Sequence, residues 1–288
     1  MADGYLILLT RAVVPASEHL NAGYCNTNRR MQLHSLQLGE GPPLMILHGL
    51  FGSGDNWLSV AKELADTYRI YLPDLRNHGR SPWSETFNYD AMSEDLLELM
   101  EANHIEQPVI IGHSMGGKMA MQFAVRFPRL LSKLIVVDIG PKYYPPHHQH
   151  ILAGLLSIDP TTLQSRQQAD VLLAQHVPER SVRQFLLKSL YRTEDPAPAP
   201  SFAWRLNLPV IAQAIENVGE AISSETAVEL PALFLRGGQS DYVKEEDMKL
   251  IRRIFPQAHL DTIAEAGHWL QAEQPQQFLE KVKQFMEG

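Results

Sequence analysis

Short runs of valine, isoleucine and leucine alternate along the chain with stretches whose apolar residues recur at helical spacing. Most of these runs are continuously apolar at their centre, which is typical of strands in a parallel sheet that is covered on both faces. The helical stretches include 89–103 and 118–127. This order predicts an α/β fold with a doubly wound, mostly parallel sheet. The runs that predict its strands are 44–48, 69–74, 108–113, 133–138, 231–237 and 259–264.

The alternation is interrupted once, between the runs at 133–138 and 231–237. About 90 residues there keep helical spacing and contain no convincing strand, whereas connections in such folds usually have roughly 2 to 6 residues. The sequence therefore predicts a helical cap, 141–225, inserted into a core formed by 31–140 and 226–288. Residues 1–30 have no clear period, which leaves open an ordered extension, a disordered arm or sequence upstream of a misassigned start. The helices predicted within the cap are 153–156, 161–176, 182–191 and 210–222.

Composition narrows the range of partners. The chain has 288 residues, 44% of them hydrophobic, and a formal net charge of −8, which argues against nucleic acid as a partner. No window approaches the roughly 18 uninterrupted apolar residues of a spanning helix, so we expect no membrane partner. The single cysteine, Cys25, cannot form an internal disulfide. This fits a reducing compartment, and we predict a cytoplasmic protein.

The pentapeptide GHSMG, at 112–116, follows a predicted strand and precedes a predicted helix. This context makes it a G-x-S-x-G nucleophile elbow, in which a sharp turn exposes the central serine, here Ser114. Glycines at both ends allow the strand and the helix to approach closely. The alternative is that Ser114 only caps the helix, as serine often does. The strand before it and the helix after it favour a nucleophile.

A serine hydroxyl is a weak nucleophile, so it needs a base that an acid holds in the correct tautomer. In this architecture the order along the chain is serine, acid, histidine. His268 follows the last predicted strand and is our candidate base. Asp138 and Asp241 each follow a strand whose carboxyl end lies beside Ser114, and geometry inferred from sequence does not choose between them.

Acyl transfer also requires hydrogen-bond donors for the oxyanion that forms during the reaction. One donor is predicted to be the backbone N–H of Met115, the residue after the nucleophile. The other is assigned to Leu50, with Phe51 as the neighbouring candidate, in the glycine-rich loop after the strand at 44–48. That loop lacks the Walker pattern G-x-x-x-x-G-K-[ST], so we do not assign it to phosphate binding.

Several motifs together resemble the YbfF-type esterases of the α/β hydrolase superfamily. The resemblance runs in order from about residue 31 to the C-terminus and includes the cap. It implies a carboxylic ester hydrolase that acts on short acyl chains and some acyl thioesters, without a metal or an organic cofactor. The motifs are HGLFGSGDNW (48–57), DLRNHGRSP (74–82), GHSMGGK (112–118), VDIGP (137–141), QFLLKSL (184–190), RGGQSDYV (236–243) and AGHWLQAEQP (266–275).

The resemblance also bears on the acid. In esterases of this type the aspartate that matches Asp138 serves as the acid, and the position that matches Asp241 is often not acidic. In the wider superfamily the acid commonly follows the later strand, which favours Asp241. We keep both candidates, with Asp138 slightly preferred.

The sequence thus predicts a serine carboxylesterase of short-chain acyl esters, acting as a monomer or homodimer on a small-molecule ester. One rival is a hydrolase that cleaves a carbon–carbon bond in a ring-cleavage diketone with the same residue types. A rival of another class is a hydrolase-like binding scaffold without turnover. His147, His148 and His150 lack an acidic or thiol partner, so no metal site is predicted. The aromatic residues predicted to line the substrate pocket are Phe51, Tyr143, Tyr144 and Trp204.

Overall fold

A seven-stranded sheet forms the centre of the molecule in the computed structural model, which describes residues 31–193 and 202–288. The predicted extension 1–30 lies outside the described residues. The strands of the described residues are β1 Ser35–Leu38, β2 Pro43–Leu47, β3 Arg69–Pro73, β4 Val109–His113, β5 Lys133–Val137, β6 Leu190–Arg192, β7 Phe202–Trp204, β8 Ala232–Gly237 and β9 Ala258–Ile263.

The sheet has the order β1-β3-β2-β4-β5-β8-β9. Only β1 is antiparallel to its neighbour, and the other adjacent pairs are parallel. Each of the six apolar runs matches one of the parallel strands to within a residue at either end. The predicted fold class is therefore confirmed.

Helices cover both faces of the sheet, because successive side chains of a strand point to opposite sides. In β2, Met45 and Leu47 join an apolar cluster with the helices at 89–102 and 115–126, whereas Leu44 and Ile46 join one with the helices at 58–64 and 275–287. Within the described residues, no helix has both the length and the apolar character needed to cross a bilayer. The helices are α1 Leu58–Leu64, α2 Tyr89–Ala102, α3 Met115–Arg126, α4 Gln149–Leu156, α5 Arg166–Leu173, α6 Arg180–Leu186, α7 Leu208–Gln213, α8 Ile215–Val218, α9 Met248–Ile254, α10 Leu270–Glu273 and α11 Pro275–Glu287.

Helices α4 to α8 lie between β5 and β8, in the stretch predicted as a cap. The prediction that this stretch contains no strand is wrong, because β6 and β7 pair in an antiparallel ribbon. Each of these strands has only three residues. Such short strands do not show a period of two, and they are recognised only by their pairing with each other. The predicted helix 182–191 accordingly ends early, and its last residues belong to β6.

A buried lysine in α3 joins the two ends of this inserted segment. The ammonium group of Lys118 donates hydrogen bonds to the carbonyl oxygens of Lys142, at 2.5 Å, and Glu220, at 2.6 Å. Burial lowers the pKa of Lys118 to about 7. Next to these bonds the backbone N–H of Tyr144 donates to the carbonyl of Gly219. The entrance and the exit of the segment are thereby fixed beside the helix that follows Ser114.

Candidate active site

Ser114 stands at the corner between β4 and α3 in a conformation that few non-glycine residues adopt, with φ of 53° and ψ of −117°. A Cβ atom on Gly112 would lie 2.3 Å from the carbonyl oxygen of Gly116, and one on Gly116 would lie 2.4 Å from that of Leu47. Side chains at these two positions would therefore push the helix off the sheet. The Ser114 side chain makes no capping hydrogen bond. Its conformation fits an exposed nucleophile better than a helix cap.

His268 lies between β9 and α10, and its Nδ1 atom is 2.8 Å from Oδ2 of Asp138. Asp138 follows β5 directly and is completely buried. Its carboxylate also accepts hydrogen bonds from the backbone N–H of Gly237, at 3.0 Å, and from the hydroxyl of Ser240. The imidazole is thus held by a carboxylate that two other donors fix in place. Its Nε2 atom remains free to accept the hydroxyl proton of Ser114.

The structure does not bring Asp241 to His268. The Asp241 side chain is 99% exposed, and its carboxylate faces the ammonium group of Lys244 at 3.7 Å. Both aspartates follow neighbouring strands, but β5 ends immediately before Asp138, whereas a turn separates Asp241 from β8. This turn directs Asp241 into solvent, so the geometry favours Asp138.

Three further contacts, none of them predicted from the sequence, fix His268. The carboxylate of Glu273 accepts hydrogen bonds from the backbone N–H groups of Gly267 and Trp269, one on each side of the histidine. The Nε2 atom of His113 donates to the carbonyl oxygen of His268 at 2.8 Å. The ring of Tyr242 stacks on that of His268, with centroids 4.2 Å apart. All these residues lie in the motifs quoted above. Glu273 bonds within its own motif, whereas His113 and Tyr242 reach His268 only through the fold.

The loop after β2 lies against the nucleophile. A Cβ atom on Gly49 would be 3.4 Å from Cβ of Ser114. The N–H of Phe51 donates to Nε2 of His78 at 3.2 Å, so it is already occupied. No acceptor among the described residues takes the N–H of Leu50, and Met115 begins α3, where a backbone N–H has no partner within the helix. These two N–H groups are therefore available to an oxyanion.

Two buried histidines hold this loop in place. His48 donates from Nδ1 to the carbonyl of Gly49 and accepts the N–H of Leu75 at Nε2, with both distances 2.9 Å. His78 donates from Nδ1 to the carbonyl of Arg76 at 2.9 Å while it accepts the Phe51 N–H. Both rings need one protonated and one free nitrogen, so both are neutral. Burial accordingly lowers the pKa of His48 and lowers that of His78 to about 3.

This burial predicts a specific loss of stability in acid. The pKa of His78 falls from an ordinary 6.5 in the unfolded chain to about 3 in the folded one. Between these two pH values the unfolded chain binds a proton that the folded chain does not. The contribution of His78 to stability is therefore complete above pH 6.5, and it is lost as the pH falls toward 3. One such group adds at most about 1.4 kcal/mol per pH unit to the slope of the free energy of unfolding against pH.

Urea titrations at a series of pH values measure this slope. The free energy of unfolding of His78→Gln should fall less steeply with acid than that of the wild type, although the variant is less stable overall. His259 is exposed on β9. His259→Gln should therefore keep the wild-type slope. Equal slopes for the wild type and His78→Gln would contradict this explanation.

A cavity of about 250 Å³ contains the site, and Ser114, His268, Leu50 and Phe51 all line it. A smaller cavity, of about 20 Å³, also reaches Ser114 and is lined by Met115 and Tyr144 among others. Of the aromatic residues predicted to bind substrate, Phe51 and Tyr144 thus lie at the site.

The assignments of Tyr143 and Trp204 to the substrate pocket are wrong. The side chain of Tyr143 is 53% exposed, and its hydroxyl contacts Glu216. Trp204 is buried in β7 within the apolar cluster and lines neither cavity. The sequence identifies bulky aromatic residues in this segment, but it does not indicate the direction in which each one points.

The histidines of the segment after β5 face the larger cavity without forming a metal site. His147, His148 and His150 line it. The hydroxyl of Tyr242 is hydrogen-bonded to Nε2 of His147, whose Nδ1 contacts the carbonyl of Pro145. In the described parts of the chain, no group of three or more histidine, cysteine, aspartate or glutamate side chains is arranged to hold a metal ion.

The chain is similar to known proteins over most of its length. A family model described as the alpha/beta hydrolase fold matches residues 42–275. The chain belongs to the α/β hydrolase family. This hydrolase is 37% identical over 245 residues to the esterase YbfF of Escherichia coli, in an alignment that covers 85% of this chain and 92% of that protein.

Two other similar proteins cover nearly the same region. An sn-1-specific diacylglycerol lipase of Danio rerio is 38% identical to this hydrolase over 257 residues, which are 86% of this chain and 80% of that one. Among solved structures, a marine microorganism esterase is 44% identical and superposes with a TM-score of 0.85, covering 88% of this chain and 99% of the other. The predicted relationship to these esterases is therefore confirmed.

Proposed function

We propose that this hydrolase is a serine carboxylesterase that cleaves short-chain acyl esters, and some acyl thioesters, through an acyl-enzyme. One observation carries the proposal: Ser114, at the strained corner, shares a cavity with His268, and Nδ1 of His268 is bonded to the buried carboxylate of Asp138. The names of the relatives support it, since two are called esterases and one a lipase.

In the first half of the proposed reaction, Oγ of Ser114 attacks the ester carbonyl carbon while Nε2 of His268 takes the hydroxyl proton. The carbonyl oxygen becomes an oxyanion and accepts hydrogen bonds from the backbone N–H groups of Leu50 and Met115. The bond to the alcohol then breaks, and His268 returns its proton to the leaving oxygen. Asp138 keeps Nδ1 protonated and offsets the charge of the imidazolium.

In the second half, water attacks the acyl-serine ester and gives a proton to Nε2 of His268. The second oxyanion uses the same two N–H groups. When it collapses, the bond to Oγ of Ser114 breaks, the serine recovers the proton and the carboxylic acid leaves. Neither half needs a metal or an organic cofactor, and the partner is a small-molecule ester. The cytoplasmic location and the state as a monomer or homodimer stay predictions.

A substrate panel tests this function. It contains p-nitrophenyl esters of increasing acyl length, an acyl thioester, a diacylglycerol and a ring-cleavage diketone. We expect kcat/KM for the esters to peak at short acyl groups and to fall for longer ones, because each methylene contributes about 0.8 kcal/mol of burial only while it still fits the acyl subsite.

The same panel separates the alternatives. Turnover of the diketone with little turnover of any ester would favour the carbon–carbon bond hydrolase. A kcat/KM that keeps rising out to long acyl chains would indicate a lipase. No turnover of any compound by folded protein would favour the binding scaffold.

A further inference from the structure

The two cavities at Ser114 differ greatly in size, and they meet at the nucleophile. The larger, of about 250 Å³, has Leu50 on its wall, and the smaller, of about 20 Å³, has Met115. These two residues are the proposed donors to the oxyanion. A carbonyl held between them lies where the cavities meet, so the two arms of an ester must extend in opposite directions, one into each cavity.

The position of His268 decides which arm enters which cavity. Of the two cavities, His268 lines only the larger. The proton that Nε2 takes from Ser114 must pass to the oxygen of the departing alcohol, so this oxygen must lie on the histidine side. The alcohol arm therefore extends into the larger cavity, and the acyl arm into the smaller one.

The walls of the smaller cavity are held firmly. Tyr144 donates its hydroxyl to the carbonyl of Tyr242 and accepts the backbone N–H of Gly140. Lys118 is fixed by its bonds to the two ends of the inserted segment. Ile139 is buried against α3. About 20 Å³ is close to the space that one water molecule needs, so the cavity holds a methyl group and not a chain.

Most of the exposed wall of the larger cavity is apolar, and both the core and the inserted segment contribute apolar side chains to it. Among them are Ile151 in α4, Val182 and Phe185 in α6, and Trp269 beside the catalytic histidine. Such a surface suits an extended apolar group.

We propose that the smaller cavity is the acyl subsite and the larger one the alcohol subsite, so that the preferred substrates are acetyl-like esters of larger apolar alcohols. This inference rests on the proposed esterase function and adds to it the orientation of the substrate and the nature of its alcohol.

Pairs of isomeric esters test the orientation of the substrate. In one member of each pair the long chain belongs to the alcohol, and in the other it belongs to the acyl group. Hexyl acetate and ethyl hexanoate contain the same atoms, as do phenethyl acetate and ethyl phenylacetate, and all four release a simple primary alcohol. Values of kcat/KM are divided by the rates of alkaline hydrolysis to remove differences in intrinsic reactivity. The wild type should prefer the acetate of each pair by about tenfold or more.

A matched pair of isoleucine variants locates the two subsites. Ile215 lines only the smaller cavity and Ile151 only the larger one, and both are partly buried. Ile215→Ala should lengthen the acyl subsite and raise the ratio of ethyl hexanoate to hexyl acetate turnover by about fivefold or more. Ile151→Ala should not raise this ratio, because it enlarges the side that holds the alcohol.

The outcomes separate this inference from the proposed function. If the wild type hydrolyses the hexanoate as well as or better than the acetate, the orientation is wrong while the esterase function stands. If Ile151→Ala raises the ratio of ethyl hexanoate to hexyl acetate turnover and Ile215→Ala does not, the larger cavity holds the acyl group and the assignment of the two subsites is wrong. Absence of turnover of every ester by folded protein overturns both the function and the inference. The wild-type comparison does not depend on whether either variant folds.

Discussion

Replacing Ser114 by alanine should abolish ester hydrolysis while leaving the fold intact. The alanine removes only the atom that forms the acyl-enzyme, and the serine hydroxyl makes no capping hydrogen bond that the fold would lose. In hydrolases of this mechanism, removing the nucleophile costs about as much as removing the whole triad, so kcat should fall by roughly four orders of magnitude or more.

Initial rates on a p-nitrophenyl ester, with thermal unfolding recorded beside them, measure this effect. Ser59 is exposed on α1, so Ser59→Ala is the matched control and should retain wild-type turnover. A purified and folded Ser114→Ala protein that keeps most of the activity would exclude Ser114 as the nucleophile.

Replacing Asp138 by asparagine should lower kcat by about four orders of magnitude. One oxygen of Asp138 accepts the N–H of Gly237, and the other accepts Nδ1–H of His268. An asparagine that keeps its oxygen on Gly237 turns its amide N–H₂ toward Nδ1 of the histidine. That nitrogen must then be the acceptor, so Nε2 carries the proton and cannot take one from Ser114. The amide also lacks the charge that offsets the imidazolium.

Asp241→Asn is the matched control for this experiment. Its carboxylate is exposed, and its nearest charged partner is Lys244. Because neither residue reaches the site, activity should stay within about twofold of the wild type, as for most surface substitutions. The assignment of Asp138 fails if Asp138→Asn stays near the wild type while Asp241→Asn is inactive but folded.

The sequence predicts the parts of this molecule whose signals are local. Continuous apolar runs locate the strands β2 to β5 and β8, because both faces of these strands are buried. The edge strand β9 carries the exposed His259 and is apolar only in part. The pentapeptide around Ser114 is recognisable because a close approach of strand and helix demands glycine at 112 and 116. His268 follows from its place after the last strand.

The choice between Asp138 and Asp241 could not be made from the sequence, because it depends on the path of the chain after each strand ends. The same limit applies to the aromatic residues. Tyr143 and Tyr144 are adjacent, yet one points into solvent and the other lines the smaller cavity. The ribbon of β6 and β7 escaped prediction because its pairing is tertiary and its strands are too short to show a period.

The histidines show a further limit. His48, His78 and His113 lie in motifs that the sequence analysis quoted, but each of them acts through a hydrogen bond to a residue that the fold brings near. Burial keeps the pKa of His78 and that of His113 near 3, so they serve as neutral donors and acceptors. We infer that they position the donor loop and the catalytic histidine.

The central claim is that Ser114 is an activated nucleophile, and its reaction with a fluorophosphonate tests this most directly. The reagent phosphonylates a serine only where a base and oxyanion donors assist the attack. Intact mass followed by peptide mapping should show one phosphonyl group per chain, on the peptide that contains Ser114, and none on folded Ser114→Ala. Folded wild-type protein that takes up no phosphonyl group, or that takes it up at another residue, would contradict the account.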